Sequence, residues 1–292
     1  MIPLTYCYPW TKGTRDEQKQ WMREFAESGV NHLVLTSSLF GEGCRDTGYL
    51  LTFYQDMQEF GLDFVDSHAL WGPWSDPGMP IPEWKETLLL RHRMTFQFCR
   101  QFGVKTMAFH TGSTFNGIFG ANLTLEDYYK ALISSLEILL PEAEKCGMII
   151  ALENQWTPLN HSTILLKVME YFNSPYLGLC YDSGHGNLME KGSQFPGETV
   201  VPVIWDDLGT PVIWEENLLE KFAPWLVNCH MHDNRGIKDE HLHPGKGTID
   251  WDRIRRVLKT ASRLQSIQNE SSLHESPIQE YCRIFQDMFK NL

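Results

Sequence analysis

The chain has 292 residues, 42% of them hydrophobic, which is enough for one large buried core. Its 25 Lys and Arg stand against 37 Asp and Glu, and the formal charge of −12 makes a surface that repels polyanions, which argues against nucleic acid as a partner. No apolar run approaches the ~20 residues of a membrane span, and the start, Met1-Ile2-Pro3-Leu4-Thr5, lacks a signal-peptide layout, so a soluble cytoplasmic protein is expected.

In chain order, short β-type runs alternate with amphipathic helical stretches. A first strand is predicted over Leu4 to Tyr8 and a helix over Asp16 to Glu27. Strands follow over His32 to Leu35 and Asp63 to Asp66, then a helix over Trp84 to Phe102 and a strand over Thr106 to Phe109. The helix over Leu125 to Cys146 is preceded by Thr124, a hydroxyl suited to capping, and carries Glu126 and Asp127 in its first turn. Strands over Met148 to Leu152 and Leu177 to Tyr181 come next. Lys191 to Glu216, rich in Pro, Gly and Trp and without helical period, reads as a long loop that forms a lid or substrate wall. The last elements are strands over Leu226 to Met231 and Leu264 to Gln268, with helices over Asp252 to Arg263 and Pro277 to Phe289. About eight strand-helix pairs without a run of lone strands favour the α/β class, with parallel strands inside and helices outside. At this length one (β/α)8 barrel over residues 1–292 fits better than an open sheet plus a second domain. The seven cysteines (Cys7, Cys44, Cys99, Cys146, Cys180, Cys229, Cys282) are scattered, without a C-x-x-C pair, and suit a reducing compartment and mostly buried packing.

Polar residues that a core does not require gather at the C-terminal ends of the strand candidates, the functional face of a barrel. They are His68, His110, Glu153, Asp182 with His185, His230 and Glu270. Any one of them alone is more often a packing histidine or a helix cap; the fourth to eighth strands each delivering one is the signal. Carboxylates and imidazoles together suit a divalent ion such as Zn, Mn, Co or Mg. Without a cation, several carboxylates in one pocket repel one another and are driven to protonate.

The longest signature is Cys229-His230-Met231-His232-Asp233-Asn234-Arg235, followed by Asp239-Glu240-His241-Leu242-His243-Pro244-Gly245-Lys246-Gly247-Thr248-Ile249-Asp250-Trp251. With Leu152-Glu153-Asn154 and Asp182-Ser183-Gly184-His185, it resembles the xylose isomerase-like TIM barrel superfamily, which includes sugar phosphate isomerases and epimerases, inosose dehydratases and the endonuclease IV group (AP endonuclease family 2). The resemblance spans nearly the whole chain. It implies one divalent metal held by Glu153, Asp182, His230 and Glu270, with Glu275 as the fallback for Glu270. It also implies that His68, His110, His185, Asp239 and His241 either bind substrate or hold a second or third metal, as in endonuclease IV. His232 and His243 are read as orienting or loop residues, each one step out of register with the neighbouring ligand.

In the isomerase or epimerase that the resemblance implies, the metal binds a carbonyl and an adjacent hydroxyl, and Glu153 and Glu270 remove and return the proton between them. His185 would hold a substrate oxygen, with His110 and His68 as further contacts. Trp10, Phe40, Trp71, Trp74, Phe115, Phe119 and Trp156 fall in the loops of this face, where they either pack or form apolar walls against a sugar. Basic residues in these loops are few (Lys12, Arg15, Arg45, Lys246), and no Gly-rich phosphate cradle occurs, which favours an unphosphorylated sugar, polyol or sugar acid. Lys246 is the cation available to a carboxylate or phosphate. Three alternatives stand beside this reading: an inosose or dehydroshikimate dehydratase, an abasic-site DNA endonuclease, and a sugar- or partner-binding barrel without catalysis. A homo-oligomer is left open.

Overall fold

Eight short parallel strands pair in sequence order, and the eighth pairs with the first, so the sheet closes into a barrel. The computed structural model describes residues 2–112, 122–195, 197–272 and 277–292. The strands are β1 (Leu4–Tyr6), β2 (His32–Leu35), β3 (Asp63–His68), β4 (Thr106–Phe109), β5 (Ile149–Glu153), β6 (Leu177–Asp182), β7 (Leu226–Met231) and β8 (Ser266–Asn269). Among the described residues, eleven α-helices lie between and after them. They are α1 (Arg15–Glu27), α2 (Ser37–Arg45), α3 (Thr47–Glu59), α4 (Pro82–Phe102), α5 (Leu125–Cys146), α6 (Ser162–Phe172), α7 (Ser183–Lys191), α8 (Val201–Asp206), α9 (Leu218–Phe222), α10 (Trp251–Leu258) and α11 (Ile278–Phe289).

Local chemistry sets the helix ends. Thr14 and Thr124 each accept a hydrogen bond from the backbone three residues on, while Glu17 and Asp127 reach back to the cap, so α1 and α5 both start with a capping box. Gly103 and Gly147, at φ 74° and 68°, take the left-handed conformation that ends α4 and α5. Aliphatic and aromatic side chains on the outer strand faces and inner helix faces form a continuous buried layer, from Tyr6 and Phe25 through Met107 and Leu152 to Phe285.

Inside the barrel the lower layer is polar. Thr5, Asp66, Thr106, Asn228 and Ser266 come from five strands, and all are fully buried. Asp66 Oδ2 accepts hydrogen bonds from Thr5 Oγ1 at 2.8 Å, Ser266 Oγ at 2.6 Å and Asn228 Nδ2 at 3.5 Å. Burial pushes the Asp66 carboxyl up to about 6 against the pull of these donors. Side chains of a strand alternate between faces, so counting upward in twos from this layer gives His68, His110, His230 and Glu270 on the inward side.

The eight expected strands are all present, with differences at the ends. β1 stops at Tyr6 and not Tyr8; β3 runs on to His68; β8 starts at Ser266 and not Leu264. The expected helix Asp252 to Arg263 ends as an α-helix at Leu258. Lys191 to Glu216 is not the helix-free loop expected. α8 lies in it, too short at six residues to show a period, with Val201 and Trp205 buried against Met189. Among the described residues no helix is long and apolar enough to cross a membrane.

Candidate metal centre

Each strand end delivers its polar group to the same mouth. His68 closes β3, His110 follows β4, Glu153 closes β5, Asp182 closes β6, His230 lies near the end of β7 and Glu270 directly follows β8. Asp182 also caps α7: its Oδ1 accepts the His185 backbone N–H at 2.7 Å, which turns His185 back over the barrel. The His185 ring is fixed by Asn154, whose carbonyl oxygen lies 2.9 Å from Nδ1.

Glu153, only 1% exposed, is the hub. Its Oε2 lies 3.2 Å from His230 Nδ1, 3.5 Å from His110 Nε2 and 3.6 Å from His68 Nε2, and its Oε1 lies 3.3 Å from His185 Nδ1. His230 Nδ1 is also 3.4 Å from Glu270 Oε1. Potential ligand atoms of Asp182, His230 and Glu270 lie within 4.8 Å of one another, as do those of His68, Glu153 and His230. All four residues expected to hold the common metal are thus brought together. Glu153 Oε2 and both ring nitrogens of His230 are buried without a hydrogen-bond partner. Buried polar atoms carry such a cost that their convergence on one point fits a cation among them.

A second group lies beside the first. His185 Nε2 is 3.5 Å from Asp239 Oδ2, and His241 Nε2 is 3.1 Å from the same oxygen. His232, read from the sequence as an orienting residue, is fully buried with Nε2 3.0 Å from Asp182 Oδ2, and its ring stacks on His241 at 3.8 Å. His243 lies apart from it, 3.1 Å from the Ser271 hydroxyl.

The histidine-aspartate-asparagine signature is partly scaffold. Asp233 accepts hydrogen bonds from the backbone N–H groups of Asn234, Gly245 and Ile249 and from Trp251 Nε1. Gly247 lies so close that a Cβ there would meet the Asn234 carbonyl oxygen at 2.2 Å. These contacts fold residues 233–251 back and set Asp239 and His241 at the mouth.

The charges are strongly polarised. Burial would raise Glu153, but His230 and His110 hold its carboxyl well below the usual range. Burial would lower His241, yet its bond to Asp239 lifts it to about 9. Burial, with His110 adding to it, drops His68 to about 4. Ionised carboxylates that draw protons onto neighbouring imidazoles draw a divalent cation by the same field.

Above this floor lies a cavity of about 580 Å3 whose walls include Trp71, Asp76, Gln155, Trp156, Thr157 and Ile204. No Lys or Arg occurs among its described lining residues. Lys246 is exposed, in the turn after His243, and is not part of the lining. Arg45 sits in the last turn of α2, paired with Glu42, and Arg15 binds Asp56. Of the aromatics for which packing and a sugar wall were both open, Trp10 and Phe40 pack, fully buried in the core. Trp71 and Trp156 do line the cavity, whereas Trp74 packs against Trp84, with ring centroids 3.8 Å apart. Phe115, Phe119 and Glu275 lie outside the described residues. Asp76 went unnoticed in the sequence: it is 2% exposed, lines the cavity, and burial pushes its carboxyl up to about 7. Its setting, Ser75-Asp76-Pro77-Gly78, reads only as a turn.

The sequence profile of the xylose isomerase-like TIM barrel family matches residues 14–263. The chain belongs to this family. Two curated relatives are similar over part of their length. The uncharacterised protein y4fM of Sinorhizobium fredii is 26% identical over 175 residues, 58% of this chain and 47% of that protein. The uncharacterised protein MJ1311 of Methanocaldococcus jannaschii is 28% identical over 134 residues, 43% and 38% of the two. The chain thus spans about half or less of the length of these relatives. Solved barrels share the fold along nearly the whole chain. The 3-keto-D-glucoside 4-epimerase YcjR of E. coli in its apo form has a TM-score of 0.68 at 14% identity, covering 99% of each chain. An IolI protein with a bound zinc atom has 0.67 at 15%, covering 99% of this chain and 96% of its own. A D-tagatose 3-epimerase-like protein has 0.65 at 18%, with the same coverage. Solved structures that share this barrel thus include sugar epimerases.

Proposed function

We propose that this member of the family is a metal-dependent sugar isomerase or epimerase that moves a proton at the carbon beside a carbonyl. The observation that carries the reading is the pair Glu153 and Glu270. They come from β5 and from the end of β8, three strands apart, and both reach His230 Nδ1, at 3.2 and 3.4 Å. Two carboxylates that approach one point from different sides can take a proton from one face of a carbon and return one to the other face, or to the neighbouring carbon.

Glu153, Asp182, His230 and Glu270 would hold the ion, and their donor set of carboxylates with one imidazole suits Zn, Mn, Co or Mg. When bound, the ion supplies positive charge against the negative charge that develops on substrate oxygens. Glu153 takes the proton, with an oxygen that no hydrogen bond occupies. Glu270 gives one back. His185, with its ring fixed at the Asn154 carbonyl, holds a substrate oxygen, and His68 and His110 line the same cavity. The bound zinc of the IolI structure and the sugar activities of the epimerase structures support this reading.

An unphosphorylated sugar, polyol or sugar acid fits a cavity without Lys or Arg among its described walls. The endonuclease alternative finds its further ligand types in His185, Asp239 and His241, which meet beside the first group, and these could hold a second metal. It lacks in the same walls the cations that would grip a phosphodiester backbone.

The test is incubation of the metal-analysed protein in D2O with ketoses, sugar acids and inososes. Deuterium at the carbon next to the carbonyl is expected for one class. No uptake across the panel, together with salt-sensitive cleavage of abasic DNA, would replace this reading with the endonuclease.

A further inference from the structure

The cavity changes character between floor and rim. The floor is built from carboxylates and imidazoles, while the walls above it bring Trp71, Trp156 and Ile204 in beside Asp76, Gln155 and Thr157. Trp71, in the loop after β3, is 61% exposed and yet lines the cavity, with its ring 5.8 Å from that of His110. His110 in turn touches the floor, with its Nε2 3.5 Å from Glu153 Oε2. Across the mouth, Ile204 of α8 belongs to the lining, and Trp156 sets its ring edge-on to His185 at 4.7 Å.

The loop that carries Trp71 is held in place. The Gly72 N–H donates to Asp76 Oδ1 at 2.8 Å, and the N–H groups of Ser75 and Asp76 return to the Gly72 carbonyl, each at 2.9 Å. His92 of α4 lies 2.6 Å from the Ser75 carbonyl oxygen, and Trp74 packs at a tilt against Trp84 of the same helix. An indole carried on such a loop with most of its surface in water keeps an unfavourable exposure in the absence of a partner. Stacking on the C–H face of a sugar ring removes that exposure and needs no charge. A cavity of about 580 Å3 lies within the ~300–1,000 Å3 of drug-sized ligand sites, more room than the twelve heavy atoms of a hexose call for.

We infer that the substrate is a glycoside or oligosaccharide and not a free monosaccharide, with its reacting unit on the carboxylate floor and its next ring stacked on Trp71. The inference rests on the proposed sugar chemistry of the floor and adds the outer binding position. Asp76 acts as a positioning residue, because its carboxylate holds the Gly72 turn that presents the indole.

The experiment pairs ketohexoses with the same ketohexoses carrying one glucosyl ring, using the metal-loaded protein. It follows deuterium uptake, KM and kcat, and measures binding by calorimetry. The glucosylated member of a productive pair should have a KM lower by about tenfold, an advantage lost in Trp71→Ala and largely kept in Trp71→Phe, with kcat little affected. Equal KM values for both members, or a Trp71→Ala variant that weakens both by the same factor, would overturn the second-ring position while leaving the proton transfer standing. If no sugar exchanges deuterium, the proposed chemistry fails, and calorimetry decides the rim: no tighter binding of any glucosylated sugar overturns this inference too. Sedimentation that shows Trp71-dependent self-association, without a Trp71 effect on sugar binding, would assign the indole to a contact between copies and overturn it as well.

Discussion

Glu153 and Asp66 show how one barrel interior gives two carboxylates different tasks. Both are buried. Glu153 is surrounded by imidazoles that hold it ionised, and its Oε2 has no hydrogen-bond partner, which suits the ligand and proton-transfer roles proposed for it. Glu153→Gln and Glu270→Gln should each abolish turnover and weaken metal affinity, read by deuterium exchange and by metal titration; near-normal activity in either variant removes that residue from the mechanism. Asp66, by contrast, collects hydroxyl and amide donors and has a structural task. Asp66→Ala leaves the Thr5, Ser266 and Asn228 donors without their shared acceptor, and a loss of about 3 kcal/mol in urea unfolding is expected. His230 and His110 were legible from their positions after strand runs. His232 was read as an orienting or loop residue; that its ring meets Asp182, at 3.0 Å, only the structure shows.

At the scale of elements, the segment from Lys191 to Glu216 is the clearest case of tertiary clamping. Trp205 Nε1 donates to the Trp156 carbonyl at 3.0 Å, so α8 holds a residue of the cavity wall. At the end of the segment Glu215 accepts from the Ser162 backbone and hydroxyl, both at 2.9 Å, and lies 2.9 Å from His161 Nε2 and 3.0 Å from Lys221 Nζ. Burial would raise the Glu215 carboxyl, but His161 and Ser162 bring it down to about 2. A folded value below the unfolded one stabilises the fold above about pH 4.5, and that contribution is lost as pH falls toward 2; it is on the order of 3 kcal/mol. Urea midpoints between pH 5 and pH 3 should therefore fall less steeply in Glu215→Gln than in the parent. An unchanged slope would show that the clamp does not depend on this ionisation. The sequence marked the segment as irregular and placed it as a wall, but α8 has too few residues to leave a periodic trace.

For the whole molecule, the site concentrates like charges that the fold has to hold together. Removal of divalent ions by a chelator should lower the melting temperature, and re-addition of Zn or Mn should restore it. An ion at one hundred times its Kd stabilises by about 2.7 kcal/mol, a shift of several degrees for a chain of this size. Glu153→Gln should reduce the shift, and a melting curve indifferent to chelation would argue against a metal in this cluster.

The sequence by itself determined the class, the strand count and which polar side chains meet in the candidate site, because strand and helix periods are local and a closed barrel turns chain order into spatial order. Once eight strands close in sequence, a polar residue at the end of each run has to face one mouth, so His68, His110, Glu153, Asp182, His230 and Glu270 could be assembled without coordinates. Only the tertiary structure decided what surrounds them. Trp10 and Trp71 are the same side chain in comparable loops, yet one is fully buried and the other is 61% exposed at the cavity rim. Asp76 reads as a turn residue and becomes a cavity wall. Exposure and cavity shape depend on which distant elements meet, and a chain read in order carries no local record of that.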